Sequence, residues 1–208
     1  GISELIGLSY DELTLELVVV DVDCNGQNNG LINALVSGGS GNYTFEWSNG
    51  QNTQAITDLS PGFYSVVVSD DNGCMIEESE IEITEPEELE VSVATTNISC
   101  IGANDGVADL TVSGGVAPYT ILWQGLDTWD GYYQLENLSP GLHYVTVIDS
   151  NGCEVSFVEY EITEPEAMAI SETHTNISCF GENDGTSDVT VTGGIPPYTF
   201  EWSNGSDT

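Results

Sequence analysis

Five cysteines carry most of the chemistry that can be read in this chain. Three open a recurring heptad, Cys-Asn-Gly-Gln-Asn-Asn-Gly from Cys24, Cys-Ile-Gly-Ala-Asn-Asp-Gly from Cys100 and Cys-Phe-Gly-Glu-Asn-Asp-Gly from Cys179. The other two, Cys74 and Cys153, each close an Asn-Gly-Cys triplet. Thiols so placed can form disulfides, stay free and buried, or ligate a metal. No Cys or His cluster has zinc spacing, so the disulfide is preferred. If the intervening strands run up and down, both cysteines of a repeat fall at the same end of their domain. The expected pairs are then Cys24 with Cys74 and Cys100 with Cys153, with Cys179 pairing outside this chain. Each bridge would close a loop of about 50 residues, stabilising it by roughly 4 kcal/mol on chain-entropy grounds. Oxidised pairs imply a periplasmic or extracellular setting.

The Asn-Asp-Gly triplets admit two readings. In the plainer one they are tight turns, in which Asn or Asp accepts backbone hydrogen bonds and Gly takes a positive φ. In the sharper one, Asp105 or Asp184 joins carboxylates such as Asp149 or Glu164 to hold Ca²⁺, although no dense Asp-x-Asp-x-Asp run of the EF-hand kind is present. Aromatic residues offer a third chemistry. Gln-Gly-Leu-Asp-Thr-Trp-Asp-Gly-Tyr-Tyr-Gln, ending at Gln134, places Trp129, Tyr132 and Tyr133 among polar residues in one repeat only. Exposed loop aromatics are what a sugar-stacking surface needs, but such residues often just pack sideways on a neighbouring strand or the adjacent bead, which is the preferred reading. The two histidines, His143 and His174, stand where the preceding repeat has Tyr64 and Thr95, so neither belongs to a repeated constellation. No nucleophile elbow or metal signature appears, and an enzyme is not expected.

Composition narrows the field further. The 208 residues include 35 Asp and Glu and no Lys or Arg, a formal net charge of −35. No side chain here can neutralise a phosphate at neutral pH, which excludes nucleic acid as a partner. The same field repels an anionic membrane surface and concentrates cations. Lysine chemistry, including a Schiff base or a Walker A loop, is absent with the residue. Hydrophobic residues make up 39% and are evenly spread, too many for a disordered acidic chain. The longest apolar runs, such as Leu13–Val20, are far shorter than the roughly 20 residues a membrane helix needs, so membrane insertion is not expected. The chain stops in the middle of its own pattern, which suggests an internal piece of a longer protein.

The elements that must position these groups recur. Cys24 to Cys100 is 76 positions and Cys100 to Cys179 is 79, as is Cys74 to Cys153. In each unit a tryptophan follows 23 residues after the first cysteine, at Trp47, Trp123 and Trp202. Self-similarity at such a period marks a tandem array. The expected division is the end of a preceding repeat at 1–11, a first repeat at 12–86, a second at 87–165 and a truncated third at 166–208. Within a unit the hydrophobic period is two, which argues strands. Ala108, Leu110 and Val112 alternate with polar neighbours, as do Tyr119, Ile121 and Trp123, and Tyr64, Val66 and Val68. Asn-Gly after the last of these runs predicts a hairpin turn. The inward parity changes between Ile76 and Ile81, which predicts a β-bulge. The recurring tryptophans are expected in the core. An all-β fold follows, of tandem immunoglobulin-like β-sandwiches strung as beads.

The succession of Cys, Asn-Asp-Gly, Gly-Gly, Pro-Tyr, Trp, Pro-Gly-x-Tyr and Asp-x-x-Gly-Cys, closing at a proline, resembles the SprB-type repeat of very long surface adhesins in gliding Bacteroidetes. The first repeat departs from that pattern in having Asn29 for the Asp and no proline before Tyr43, and the second has His143 at the aromatic position. The units are similar in layout to PKD modules. The resemblance implies export by the type IX secretion system, display on the cell surface, and a stalk segment of an adhesin filament serving attachment and gliding. Its implied partners are surface polysaccharide, reached through the full-length protein, and the secretion and motility machinery. The other function kept open is that the repeats themselves bind glycan through Trp129, Tyr132 and Tyr133.

Overall fold

The period-two runs form strands in the computed structural model, which describes residues 11–125 and 132–205. The first repeat holds β1 (Thr14–Val20), β2 (Gly30–Ser37), β3 (Tyr43–Trp47), β4 (Ala55–Leu59), β5 (Gly62–Asp70) and β6 (Met75–Ile83). The second holds β7 (Glu90–Thr96), β8 (Gly106–Ser113), β9 (Thr120–Trp123), β10 (Gln134–Leu138), β11 (Gly141–Ile148) and β12 (Glu154–Ile162). In the third, β13 (Ala169–Thr175) pairs with β14 (Thr186–Thr192). Among the described residues no helix forms.

Each complete repeat builds two three-stranded sheets, ordered β1-β2-β4 and β3-β5-β6 in the first, and β7-β8-β10 and β9-β11-β12 in the second. The chain is thus a tandem array of β-sandwiches. Alternation places Ile32, Ala34, Ile56 and Leu59 of one sheet and Phe45, Trp47, Val66, Val68, Ile81 and Ile83 of the other in a single cluster. Fully burying an aliphatic side chain stabilises by about 1.5–3 kcal/mol, so this cluster is the main driving force of the repeat. The second repeat buries the matching positions with compensating sizes: Ile32 and Ala34 become Ala108 and Leu110, and both pairs are buried. Trp47 and Trp123 are buried as expected, while Trp202 is only half-buried.

The expected irregularities are present. β5 and β6 shift register between Tyr64 and Val66, where an extra residue of β6 is accommodated and Glu80 takes φ 58°. β4 and β10 carry the same device, at Asp58 and Asn137 with φ 57° and 60°. Asp and Asn tolerate this left-handed conformation better than other residues with side chains.

By packing, the chain divides into two compact units. One comprises Gly1–Glu90 with Val112–Thr120 and Val147–Val155; the other comprises Val91–Thr111, Ile121–Thr146 and Ser156–Thr208.

The path of the first repeat decides where its cysteines lie. β2 starts beside Leu59 and ends opposite the start of β1. β3 starts opposite Asp70 and stops at Trp47, opposite Val66. β4 begins opposite Asn33 and finishes at Leu59, opposite Gly30. Together β3 and β4 therefore make one pass, divided between the two sheets. β5 then returns from Gly62, beside Ile83, to Asp70. Three passes separate Cys24 from Cys74, an odd number, so the two lie at opposite ends of the sandwich.

Candidate functional site

The Cys-x-Gly loop at one end is a closed turn. Gln27 N–H donates to the Cys24 carbonyl at 3.1 Å, and Ala103 and Glu182 repeat the bond to Cys100 and Cys179. Gly26 supplies the φ of 73° that the turn requires. The loop is fastened to the last strand's exit, where Asn25 Nδ2 donates to the Pro86 carbonyl and Gly26 N–H to Glu85. In the second repeat Gly102 N–H donates to Glu164 in the same way.

Around the loop runs a clamp from the residue before the cysteine to the fifth residue after it. Asp105 Oδ1 accepts the Ser99 amide at 2.9 Å and its other oxygen accepts the Ser99 hydroxyl, and Asp184 takes the Ser178 amide. Those bonds, the Ser hydroxyl first and its amide second, hold both carboxyls below the usual range of 3.8. In the first repeat the polarity is reversed: Asn29 Oδ1 accepts the Asp23 amide and Asn29 Nδ2 donates to the Asp23 carboxylate at 2.7 Å. An amide at the far position needs an acceptor at the near one, and Asp23 replaces serine there. The Asn29 departure from the pattern is thereby compensated. Asp105 and Asp184 act here as turn clamps, and among the described residues no group of three or more His, Cys, Asp or Glu side chains converges as a metal site would require.

At the opposite end, Asp70 ties two turns together. It is buried, its Oδ1 accepts the amides of Asn72 and Cys74, and its Oδ2 accepts that of Ser40. Burial alone would raise its carboxyl, but the Cys74, Ser40 and Asn72 amides and the Ser40 hydroxyl hold it below 3.8. Asp149, also buried, does the same for Asn151, Cys153 and Val116. Sequence reading passed over this role, although the first Asp of Asp-Asp-Asn-Gly and Asp-Ser-Asn-Gly was its signal. The Asn-Gly hairpin turn itself forms as expected, with Gly73 N–H donating to the Asp70 carbonyl. The Gly-Gly pair completes this end: Tyr43 and Tyr119 hydroxyls donate to the carbonyls of Gly38 and Gly114.

The disulfide differs from the expected pairs. Cys24 is bonded to Cys153, with a Cα separation of 5.7 Å and a sequence separation of 129, and Cys74, Cys100 and Cys179 are exposed free thiols. Cys24 and Cys74 cannot meet because an odd number of passes separates them. Cys100 has the place of Cys24 in the second repeat and Cys153 that of Cys74. The bonded cysteines come from two successive repeats, and Asn151 Nδ2 adds a hydrogen bond to the Asp23 carbonyl at 2.8 Å beside the bridge.

Of the loop aromatics, Trp129 lies outside the described residues. Tyr132 and Tyr133 are exposed, 61% and 49%, while their carbonyls accept the Trp123 indole N–H and the Leu110 amide. Thr53 and Gln54 supply the equivalent carbonyls in the first repeat. His143 takes over the bond of Tyr64: Tyr64 donates to the Ser60 carbonyl, and His143 Nε2 donates to that of Ser139, each at 2.9 Å. Its ring stacks on Tyr160 at 5.5 Å, and burial pushes the Tyr160 phenol up to about 12. His174 is exposed beside Glu172.

Comparison with curated proteins finds no match. The family model described as SprB repeat matches residues 17–52, 92–128 and 171–207, one segment in each repeat. Each segment runs from the first strand through the cysteine loop and past the tryptophan, leaving the Asn-Gly-Cys turns outside. Since the three segments together span more than half of the sequence, the chain belongs to the SprB repeat family.

Proposed function

We propose that this chain is a stalk segment of a secreted, cell-surface adhesin filament serving attachment and gliding, in which the repeats set reach and transmit force. The observation that carries the reading is the Cys24–Cys153 bond, because a covalent tie between successive repeats suits a segment loaded along its length. A disulfide suits an extracellular setting, and the uncompensated acidic surface suits a soluble, extended polymer. In this reading the repeats are not catalytic, and polysaccharide and the export and motility machinery are met through other parts of the protein.

A second reading rests on Tyr132 and Tyr133, exposed aromatic residues that replace Thr53 and Gln54 and follow Trp129 closely in sequence. There the second repeat itself stacks on sugar rings. Surface labelling of intact cells with antibodies against residues 12–165, together with retention of the purified chain on polysaccharide matrices, separates the two. A stalk gives labelling without retention. Retention lost on Trp129→Ala with Tyr132→Ala transfers the function to the loop, and absence of surface labelling overturns both.

A further inference from the structure

The neighbourhood of the Cys24–Cys153 bond occurs three times in this chain, each time with a different part present. At the bond, Cys24 and Asn25 of one repeat line a cleft with Leu89, Gly152 and Cys153 of the next. A cleft of the same make lies on the first repeat, lined by Leu13, Gly39, Asp70 and Cys74. Leu13 and Cys74 stand where Leu89 and Cys153 stand one repeat later, and Cys74 is a free, exposed thiol. The third instance has the loop and part of the receiving face. Ser99, Cys100 and Ile101 share a cleft with Met168 and Gly194, which occupy the places of Leu89 and Gly115 in the third repeat.

The receiving face keeps two hydrogen-bonding features in the first two repeats. Asp70 and Asp149 fix the Cys74 and Cys153 amides at 2.8 Å, and the second glycine of each Gly-Gly pair bonds back to the incoming chain, Gly39 to Asp11 and Gly115 to Glu87. The donor loop is likewise the same turn at Cys24 and Cys100.

We infer that Cys24–Cys153 is one instance of a repeating link: the Cys-x-Gly loop of each repeat is received by the Asn-Gly-Cys end of the next repeat and closed there by a disulfide. Cys74 is thus the receiving half for the loop cysteine of a repeat placed before it. Cys100 is the donating half for the turn cysteine of a complete repeat placed after it. Each link forms by exchange with a disulfide-bearing oxidant, R–S–S–R. The two cysteine thiols give up two protons and two electrons as their S–S bond forms, and the oxidant's S–S bond breaks to leave two R–SH. The link holds whether or not the repeats serve as a stalk.

The test supplies the first repeat with a predecessor. A second copy of residues 11–86 is inserted between residues 10 and 11, preserving the 76-residue period, and the protein is folded in oxidised and reduced glutathione. Peptides are mapped without reduction, using proteases directed to acidic or aromatic residues. Two bridges are expected, Cys24 to Cys153 and the copy's loop cysteine to Cys74, with the copy's turn cysteine free. The Cys74→Ser form of the same chain should keep Cys24–Cys153 and leave the copy's loop cysteine as a free thiol. A bridge between the two cysteines of one repeat, an unpaired loop cysteine alongside an intact Cys24–Cys153, a bridge of the copy's loop cysteine that survives Cys74→Ser, or loss of Cys24–Cys153 itself would each overturn the inference.

Discussion

The Asp70 carboxylate accepts the Cys74 amide at 2.8 Å, and through its second oxygen it holds Ser40 of the facing turn at 2.9 Å. One side chain therefore fixes the turn that carries a cysteine against the Gly-Gly turn beside it.

Because these bonds lower the Asp70 pKa in the fold, their contribution is fully present above the unfolded value of 3.8 and is lost as pH falls through the lower folded value. Asp70→Asn keeps an oxygen for two of the amides and offers an N–H to Ser40 in place of an acceptor. The variant should melt below the parent at pH 7. The difference should stay constant down to about pH 5 and shrink below 3.8, as thermal melts across that range would show. A difference that is flat through pH 3 would remove the carboxylate from this role.

The first glycine of the Gly-Gly pair is required by space as well as by backbone. A Cβ on Gly38, at φ +80°, would stand 2.0 Å from the Glu12 carbonyl oxygen, whereas one on Gly41, at φ +86°, meets nothing within 4 Å. Gly41→Ala should cost about 1–2 kcal/mol, the strain of a left-handed residue. Gly38→Ala should cost clearly more, since the Glu12 backbone must also move. Denaturant midpoints of the two variants check the order, and equal losses would mean that the close approach carries no weight.

Non-reducing peptide mapping of the chain as it stands should find Cys24 linked to Cys153, with Cys74, Cys100 and Cys179 alkylated as free thiols. The double variant Cys24→Ser, Cys153→Ser should lose up to about 5 kcal/mol, the chain-entropy value for a loop of this length. Recovery of Cys24–Cys74 would contradict the three-pass path of the first repeat.

With a net charge of −35 and no internal cations, added NaCl should raise the melting temperature by screening, over roughly 10 Å at 0.1 M salt. Asp105 spends both oxygens on Ser99, so CaCl₂ at equal ionic strength should act like NaCl. A calcium-specific rise abolished by Asp105→Asn would instead make this clamp a cation site, through preferential binding to the folded state.

Much of this architecture was open to reading because it depends on local rules. Alternation at Tyr64, Val66 and Val68 determines which face is buried, Asn72-Gly73 determines a hairpin turn, and the parity change between Ile76 and Ile81 requires an extra residue in β6. Spacing alone also marks Trp47 and Trp123 as core positions. The partners of the cysteines depended on something no local rule contains. Whether Cys24 and Cys74 share an end depends on the number of passes between them, and Trp47 to Ala55 reads equally as a turn between two passes or as a crossing from one sheet to the other within a single pass. Only pairing with Val66 on one side and Asn33 on the other decides this, through hydrogen bonds between residues about 20 positions apart. The Asp23–Asn29 clamp was hidden for a related reason: its meaning lies in which of two side chains donates, and that is settled when the loop closes and brings them within 2.7 Å. Residue types and their period determined the strands and the core; the tertiary path decided which chemically identical thiols could meet, because a disulfide needs its two Cα atoms within about 7 Å whatever the sequence between them.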